Sequence, residues 1–465
     1  MFKSLFGSLT GKGQAQEVKE SREVKTVAAG KPAAESGDTI VLPHTLGFVT
    51  HQPLHDLQQR VVAYEFMVRD TVKRRESSAG QWLQFDRLMI STLVNMDVFR
   101  LLNSRRALVH VSTLSLQDES LAAFPNDSVY FVLNPAIDDP VSNTTIALID
   151  QHRAQGRRFA LEPSLFDRRV LPEALQDELF SRIDLLILDF SGAADEVLAP
   201  FMDQMLARYP AARWYARNIS SSEDFDVCVK TPGAAKRFVL FQGAFLTAVR
   251  SQSTGKADAS QMRVLEIMRL LRAGAETPEI DAQFKLDSVL LFKLLRFINS
   301  PANGLSRKVM SIEESLLLLG RESLFKWLTL LLFTSRKDDG RSVALLERSL
   351  FRARFMESLG KLGGNNRLEC EHLFLTGMFS LLDALMHVEM ASALAPLDLP
   401  PTVADALLNQ RGMFAPYLAL AISAEQDNAD RIVSLAGVLK LAPDDVNKAH
   451  IDAMVWAQEI LQQSE

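Results

Sequence analysis

The sequence predicts a modified (β/α)8 barrel of the TIM type, followed by an all-helical domain. Eight short runs rich in Val, Ile, Phe and Tyr lie between residues 45 and 246, and segments of helical periodicity separate most of them. Strands that alternate with crossover helices are typical of a parallel sheet, and eight strands within about 200 residues favour closure into a barrel. Beyond residue 246, long helical patterns replace this rhythm. The predicted fold class is therefore α/β plus all-α.

The composition is that of a globular protein. Of the 465 residues, 47% are hydrophobic, which is enough core for about two to four domains. The formal net charge of -6 lacks the basic excess that binding to a phosphate backbone requires, so we expect no nucleic-acid partner. Cys228 and Cys370 lie far apart without CxxC spacing, which argues against a disulfide framework and against a structural zinc site.

Residues 1–41 are predicted to form a disordered tail. From about residue 11 to residue 40 the chain is rich in Gly, Ala, Lys, Glu and Ser and has no aromatic residue, a composition that cannot offset the entropy of ordering. Ahead of this stretch, four apolar residues at helical spacing could form a small amphipathic patch: Phe2, Leu5, Phe6 and Leu9. Because so short a helix is marginal in water, incidental exposure is the simpler interpretation.

The sequence also lacks signals for export or membrane insertion. The N-terminus has no uninterrupted apolar h-region of the kind that a secretory signal needs. The most apolar stretch, residues 316–333, is interrupted by Arg321, Glu322 and Lys326, whereas a membrane span requires roughly 20 nearly uncharged residues. We therefore expect a cytoplasmic protein without a transmembrane segment.

The first two predicted strands depart from the regular barrel pattern. The runs GFVTHQP and VVAYEFMV are separated only by LHDLQQR. A parallel pair needs a crossover of about 10 to 12 residues, so these two strands should be antiparallel and joined as a hairpin. The remaining predicted strands are ALVHVS, VYFVLN, RFALEP, LLILDF, RWYARNI and FVLFQGAF.

The second half of the chain shows helical periodicity with recognisable helix starts. FKLDSVLLFKLLRFI places Leu and Phe three or four residues apart and stops before Pro301. Ser311 with Glu314 predicts a capping box ahead of a long apolar helix, and Thr402 with Asp405 predicts another. We therefore expect a barrel over residues 42–247 and a helical domain over residues 248–460.

Residues at the carboxyl ends of barrel strands are the ones expected to perform chemistry. Here those ends carry mostly polar side chains: Gln52, Glu65 to Arg69, His110, Glu162, Asp189, Arg217 and Gln242. At this point the sequence resembles the EAL family of cyclic di-GMP phosphodiesterase domains, over roughly residues 44–247. HQPLHDLQQRVVAYEFMVR is similar to the family's opening, LLILDF to its Lys-x-Asp strand and FQGAF to its closing segment. The resemblance implies a modified barrel with an antiparallel first strand.

The helical half resembles the HDOD domain, a relative of HD phosphohydrolases that lacks their metal ligands. The stretch LLRFINSPANGLSRKVMSIEESLLLLGRESLFKWL matches the most recognisable HDOD segment, and EHLFLTGMFSLLDALM and LLNQRG match later ones. An EAL-like domain followed directly by HDOD is a known bacterial pairing. The resemblance therefore implies a two-domain signalling protein.

The EAL resemblance implies a site for two divalent cations, held about 3.5 to 4 Å apart by oxygen-rich ligands. Glu65 occupies the glutamate of the name motif, and Asp189 is retained. The other positions are replaced: His110 for an Asn, Val132 for a Glu, Ile187 for a Lys, Glu162-Pro163 for an Asp-Asp pair, and Arg217 and Ser220 for glutamates. Since the loss of one metal ligand costs orders of magnitude in activity, we expect no catalytic residue, no metal and no cofactor.

Binding of cyclic di-GMP requires less than hydrolysis and stays open as an alternative. It needs an Arg to pair with phosphate and amide side chains for the guanine edges. The residues that would then form the binding site are Gln52, Glu65, Arg69, His110, Asp189, Arg217 and Gln242. The simpler interpretation is that these side chains support the strand ends, with Glu65 and Arg69 satisfying one another.

Our preferred hypothesis is a non-catalytic signal-transduction protein that docks other signalling proteins in cyclic di-GMP-linked regulation. The alternative is a metal-independent effector in which Arg69 and Arg217 clamp the phosphates of cyclic di-GMP. An active phosphodiesterase is the third possibility. Because no long Gly/Ser linker separates the two halves, we expect a substantial interface that lets occupancy of one half bias the other.

Overall fold

The computed structural model of the chain describes residues 48–69, 79–95, 98, 102, 105–125, 128–162, 169–191, 203, 205, 207–210, 212–230, 237–247, 259–299, 308–334, 339–426 and 428–462. The predicted tail and the amphipathic patch near the N-terminus lie outside these ranges, as does the junction at residues 248–258. Strands and helices are numbered in chain order within the described residues.

Eight strands form a closed barrel. They are β1 (Phe48–His55), β2 (Val61–Arg69), β3 (Arg106–Ser112), β4 (Val129–Asn134), β5 (Arg158–Leu161), β6 (Leu185–Asp189), β7 (Arg213–Ile219) and β8 (Phe238–Gly243). Neighbours in the barrel follow chain order, and β8 closes on β1. β1 runs antiparallel to both of its neighbours, whereas every other adjacent pair is parallel. The predicted modified barrel with an antiparallel first strand is confirmed.

A tight turn around Asp56 allows the antiparallel start. Its carboxylate oxygen Oδ1 accepts the backbone N–H groups of Gln58 and Arg60, each at 2.9 Å, and the Arg60 guanidinium donates to the other oxygen. Aspartate side chains that bond to nearby backbone are typical turn residues. Gln59 adopts a positive φ of 61° inside this turn. The short connection therefore closes as a hairpin.

The barrel interior is apolar in its lower part. One cluster of buried side chains fills it: Leu54, Ala63, Leu108, Tyr130, Val132, Ala160, Leu185, Ile187, Tyr215 and Leu240. Side chains alternate between the two faces of a strand, so the residue two positions nearer the mouth on each strand also faces inward. Val132 and Ile187, at positions where the resemblance implies a Glu and a Lys in the EAL family, belong to the apolar interior.

Helices accompany the barrel and then form the rest of the molecule. The helices between strands whose bounds the structure describes are α1 (Ala79–Asn95), α2 (Asn143–Ala154), α3 (Gln176–Phe180) and α4 (Ser222–Lys230). The later helices are α5 (Ala259–Arg272), α6 (Thr277–Lys285), α7 (Ser288–Ile298), α8 (Ile312–Leu319), α9 (Arg321–Thr334), α10 (Gly340–Leu362), α11 (Arg367–Phe379), α12 (Leu382–Met386), α13 (Met390–Leu394), α14 (Pro401–Asn409), α15 (Ala415–Glu425), α16 (Ala429–Val438) and α17 (Pro443–Gln462). The predicted helical region after the barrel is confirmed.

One of the two predicted helix caps forms and the other does not. The Ser311 hydroxyl accepts the N–H of Glu314 at 3.2 Å and starts α8, but the Glu314 carboxylate accepts the N–H of Met310, so the cap forms without the reciprocal half of the predicted capping box. The cap predicted at Thr402 is wrong, because α14 already begins at Pro401 and its N-cap residue, Pro400, makes no side-chain hydrogen bond. Proline suits the first helical position, so the helix starts two residues earlier than predicted.

The outer face of β1 is covered by the helical region. The connection between β1 and β2 is a turn and contains no helix, so that flank of the barrel lacks the usual crossover. Helices α10, α15 and α17 pack there instead. His51 Nδ1 lies 2.6 Å from Nε2 of His450 in α17, and the N–H of Val49 donates to Asn447 Oδ1 at 2.9 Å.

A buried polar cluster adds a second contact between the two halves. Arg105, just before β3, donates to Glu347 of α10 at 3.0 Å and to Gln458 of α17 at 2.7 Å. The Tyr64 hydroxyl of β2 accepts from both Arg105 and Gln458. Around these contacts the apolar side chains of barrel and helices form one continuous buried cluster. The two halves therefore share a core.

No single helix among those described is long and apolar enough to span a bilayer. One bent pair, Arg367–Met386 with Met390–Leu397, reaches the required length and composition when its two parts are combined.

Both cysteines are buried and carry free thiols.

Candidate functional site at the barrel mouth

Every strand contributes one polar side chain to a layer just above the apolar interior. We call this layer the inner polar ring: Gln52, Glu65, His110, Asn134, Glu162, Asp189, Arg217 and Gln242. Each member lies two positions nearer the mouth than an interior apolar residue of the same strand, or directly follows the strand in the case of Glu162. Gln52 lies opposite Glu65 in the β1–β2 register.

Glu65 is the centre of the ring. Its side chain is 0% exposed, so its charge must be satisfied by protein groups. The Tyr215 hydroxyl donates to Oε2 at 2.7 Å, while His110 Nε2 lies 2.7 Å and Arg217 Nη2 lies 2.5 Å from Oε1. Both oxygens of the carboxylate therefore have donors.

Arg217 joins two carboxylates. While Nη2 contacts Glu65, Nη1 donates to Glu162 Oε2 at 2.7 Å. The guanidinium carbon also lies 5.5 Å from the centre of the Tyr215 ring, within the range of a cation–π contact. The side chain is 12% exposed, so this bridge is largely shielded from solvent. A fixed organic cation thus lies between the two carboxylates.

The charges of this bridge persist over the physiological pH range. Burial alone would raise the pKa of Glu65, but the charge of Arg217 and the hydrogen bonds from His110 and Tyr215 outweigh it and hold that pKa well below its usual range. Burial likewise disfavours the charged form of Arg217, but the Glu65 carboxylate outweighs it, so the pKa of Arg217 is raised. Burial and the charge of Glu65 raise the pKa of Tyr215 well above its ordinary value, which keeps its hydroxyl a donor.

Asn218 organises the opposite part of the ring. It adopts a positive φ of 61°, and its side-chain amide donates to Asp189 Oδ1 at 2.9 Å. Its backbone N–H donates to Gln242 Oε1, also at 2.9 Å. Asp189 Oδ1 additionally accepts the N–H of Ser191 at 2.7 Å. Asp189 and Gln242 are thus held by hydrogen bonds to the turn after β6 and to the end of β7.

The oxygen atoms at the barrel mouth do not fit the ligand set of a pair of divalent cations. Such a site needs several carboxylate or carbonyl oxygens directed at the ions. Here Glu65 is saturated by donors, Glu162 is bound to Arg217, and Asp189 accepts amide hydrogens. Among the residues with described positions, no group of three or more His, Cys, Asp and Glu side chains is arranged to hold a metal ion.

The structure brings together most of the residues that the sequence proposed for a ligand. Six of the seven lie in the inner polar ring, and the seventh, Arg69, ends β2, where its side chain falls outside the described part. The predicted pairing of Glu65 with Arg69 involves a side chain outside the described part and stays a prediction; the described partners of Glu65 are His110, Tyr215 and Arg217.

Sequence reasoning missed three contributors: Asn134, Tyr215 and Asn218. His110 Nδ1 lies 3.2 Å from the amide nitrogen of Asn134, which orients the imidazole towards Glu65. Tyr215 could have been found, because it lies two positions before Arg217 on the same strand and so shares its inward face. The role of Asn218 depends on its left-handed backbone, which the surrounding sequence pattern does not predict.

Comparison with known proteins identifies the helical half. Residues 261–396 match the model of the HDOD domain, so the chain contains an HDOD domain, as predicted. The chain is 25% identical over 417 residues to the uncharacterized protein YuxH of Bacillus subtilis, covering 89% of this chain and 98% of that protein. It is 21% identical over 421 residues to CdgJ of Vibrio cholerae, named a cyclic di-GMP phosphodiesterase, covering 89% and 93%.

Solved structures of EAL proteins also match. One is Bacillus subtilis YkuI, a protein with an EAL domain solved in complex with cyclic di-GMP and calcium. The identity is 13% and the TM-score is 0.32, over 54% of this chain and 74% of that chain.

Proposed function

We propose that this chain is a non-catalytic signal-transduction protein in which a degenerate EAL-like barrel and an HDOD domain act together as a docking module for other signalling proteins. The observation that carries the proposal is the Arg217 guanidinium, bound to Glu65 and Glu162 at the barrel mouth. The regulation served would be linked to cyclic di-GMP, the substrate in the name of the Vibrio cholerae relative.

A guanidinium cannot replace a metal ion in phosphodiester hydrolysis. A divalent cation activates water by direct coordination, which lowers the pKa of that water. Arg217 has no coordination position to offer, and its N–H groups only donate hydrogen bonds. The bridge thus neutralises buried carboxylates without supplying a nucleophile. Arg217 therefore supports a loss of catalysis together with retention of the fold.

The charge of the inner polar ring also favours docking over nucleotide binding. Glu65, Glu162 and Asp189 contribute three carboxylates, against the guanidinium of Arg217 and the imidazole of His110. A dianionic nucleotide would have to displace carboxylates that already hold Arg217. A feature that favours an effector is Arg217 Nε, which is buried and has no hydrogen-bond partner among the described residues.

The shared core supports a joint action of the two halves. We propose a division into a barrel at residues 42–247 and a helical domain at residues 248–460. β1 takes part in both, because Gln52 belongs to the inner polar ring while the neighbouring His51 contacts His450 of α17. A partner that shifts α17 would therefore act on the strand that lines the barrel mouth.

Calorimetry with cyclic di-GMP, with and without magnesium, separates docking module from effector. The docking module predicts no binding heat in either condition at high protein concentration. Micromolar binding without magnesium that is lost in Arg69→Ala would establish the effector instead. Arg213→Ala, at the exposed start of β7, is the control for a general loss of positive charge.

A further inference from the structure

Among the described residues, the HDOD half carries an exposed apolar surface. We call it the α7–α8 patch, and its exposed members are Met262, Leu286, Val289, Phe292, Met310, Leu317 and Leu318. Phe292 is 63% exposed, Met310 76% and Leu317 80%. Single exposed apolar residues are ordinary, but a run of large ones on neighbouring elements is typical of a contact surface.

Hydrogen bonds hold the parts of this patch next to one another. Val289 and Phe292 lie three residues apart and share one face of α7, and Leu286 lies in the turn just before that helix. Arg263, beside Met262, donates to the carbonyl of Leu286 and thereby connects the start of α5 to this turn.

The other end of the patch is fixed through Asn299. Its side chain donates to the carbonyl of Val309 at 2.8 Å and accepts the N–H of Val309 at 2.7 Å. Met310 therefore lies beside the C-terminal end of α7, and Leu317 follows on the exposed side of α8. The patch thus extends from α5 across α7 to α8.

We propose that residues 2–9 of this same chain dock on the α7–α8 patch. The segment presents four apolar side chains at helical spacing: Phe2, Leu5, Phe6 and Leu9. A helix of this length is marginal in water and needs an apolar surface to stabilise it. The patch supplies such a surface, and neither the barrel mouth nor the interface between the halves uses it.

The chain between the segment and the barrel is long enough for this contact. Residues 10–47 number 38, and a flexible chain of that length has a root-mean-square span of roughly 35 Å and a greatest extension of about 125 Å. A folded chain of this length has a radius of gyration of about 23 Å. The segment can therefore reach any face of the molecule.

Tethering favours this segment over a second copy of the chain. A flexible linker gives a local concentration of the order of millimolar, whereas a second copy must bind from solution. A contact with a dissociation constant of tens of micromolar would thus be mostly occupied within one molecule. The charges within helices α6, α7 and α8 nearly balance. The acidic residues are Glu279, Asp281, Glu313 and Glu314, and the basic residues are Lys285, Lys293 and Arg296. Binding should therefore depend little on salt.

Hydrogen exchange of the full chain and of a variant lacking residues 2–9 tests the proposal. We expect the deletion to increase amide exchange in residues 288–298 and 312–319. A synthetic peptide of residues 1–12, added to the deletion variant, should restore the protection. Phe292→Asp should weaken peptide binding about tenfold or more, whereas Val438→Asp, at a 64% exposed apolar position on α16, should leave it unchanged.

Three outcomes would overturn the proposal. The first is equal exchange in both proteins. The second is a deletion variant that dimerises through Phe292, which would assign the patch to a second copy. The third is peptide binding only to lipid vesicles. None of these outcomes depends on whether the barrel binds cyclic di-GMP, so the proposed function is tested separately.

Discussion

At the residue scale, Arg217 controls the chemistry of the barrel mouth. It neutralises Glu65 and Glu162, two carboxylates that would repel each other inside a low-dielectric layer. Removing one partner of a buried ion pair leaves the other charge uncompensated, and this costs much more than the pair itself contributes.

Replacing Arg217 should therefore destabilise the protein strongly. We expect Arg217→Ala to lower the free energy of unfolding by about 3 to 5 kcal/mol, measured by chemical denaturation. Arg213→Ala, on the same strand but exposed, should change it by less than about 0.5 kcal/mol. Equal effects of the two substitutions would contradict the role given to the bridge.

The same variant should gain an affinity for divalent cations that the wild type lacks. Without the guanidinium, the carboxylates of Glu65 and Glu162 lose the cation that they share, and their oxygens become available as ligands for a divalent cation. Calcium at about 100 times its dissociation constant would then raise the stability of Arg217→Ala by about 2.7 kcal/mol. Thermal unfolding with and without calcium measures this, and the double variant Glu65→Gln with Arg217→Ala should lose the response. A comparable calcium shift in the wild type would argue against the account.

The buried histidine pair between the halves predicts a pH dependence. Burial and the charge of Arg348 lower the pKa of His51 to about 3, and burial and the neighbouring His51 lower that of His450 well below its usual range. Both are neutral when folded, but an unfolded histidine takes up a proton below about pH 6.5. Their contribution to stability is therefore complete above that pH and is lost as the pH falls below it.

His450→Gln isolates this effect. Between pH 6.5 and pH 5, the free energy of unfolding of the wild type should fall by about 1.4 kcal/mol per pH unit more than that of the variant. The comparison is needed because Glu347 acts in the opposite direction: burial raises its pKa to about 8, so it favours the folded state as the pH falls. Chemical denaturation at both pH values measures this difference. If the free energy of unfolding depended on pH equally in both proteins, His51 and His450 would not be a neutral pair in the folded state.

At the element scale, local patterns predicted the order of strands and helices. The short LHDLQQR connection predicted the hairpin, because no crossover fits into it. Alternation along strands placed Glu65, Asp189 and Arg217 at the mouth. The bridge from Arg217 to Glu162 could not be predicted, because it depends on the relative positions of β2, β5 and β7, which are distant in sequence.

The two helix caps offer a matched test of local structure. Ser311→Ala removes a hydroxyl that accepts the N–H of Glu314, so we expect a loss of about 1 kcal/mol in the free energy of unfolding. Thr402→Ala should leave stability unchanged or slightly raised, since α14 begins at Pro401 without a side-chain cap. A loss at Thr402 as large as at Ser311 would contradict the assigned helix start.

At the scale of the whole molecule, the helical half completes the barrel. Helices α10, α15 and α17 cover the flank that the hairpin leaves without a crossover helix. Gly340, at the start of α10, lies so close to the hairpin turn that an added side-chain carbon would collide with the carbonyl oxygen of Gln58. The absence of a long Gly/Ser linker predicted a substantial interface between the two halves. No sequence pattern predicted that the outer face of β1 is the face that this interface buries.

Gly340→Ala should therefore weaken the contact between the halves. We expect the free energy of unfolding to fall by about 1 to 3 kcal/mol and the thermal transition to broaden, because the turn and α10 must move apart. Gly437→Ala is the matched control, since nothing lies within 4 Å of a side-chain carbon there, and it should be neutral or stabilising. Equal behaviour of the two variants would mean that the close approach does not couple the halves.

We propose that the Arg217 guanidinium takes the place of the cations needed for phosphodiester hydrolysis. Incubation of the full chain with cyclic di-GMP and either magnesium or manganese, followed by chromatography for the linear dinucleotide, measures this hydrolysis. We expect no more product than in a protein-free control. Product that forms with the wild type and disappears in Glu65→Gln would show that the barrel is an active phosphodiesterase.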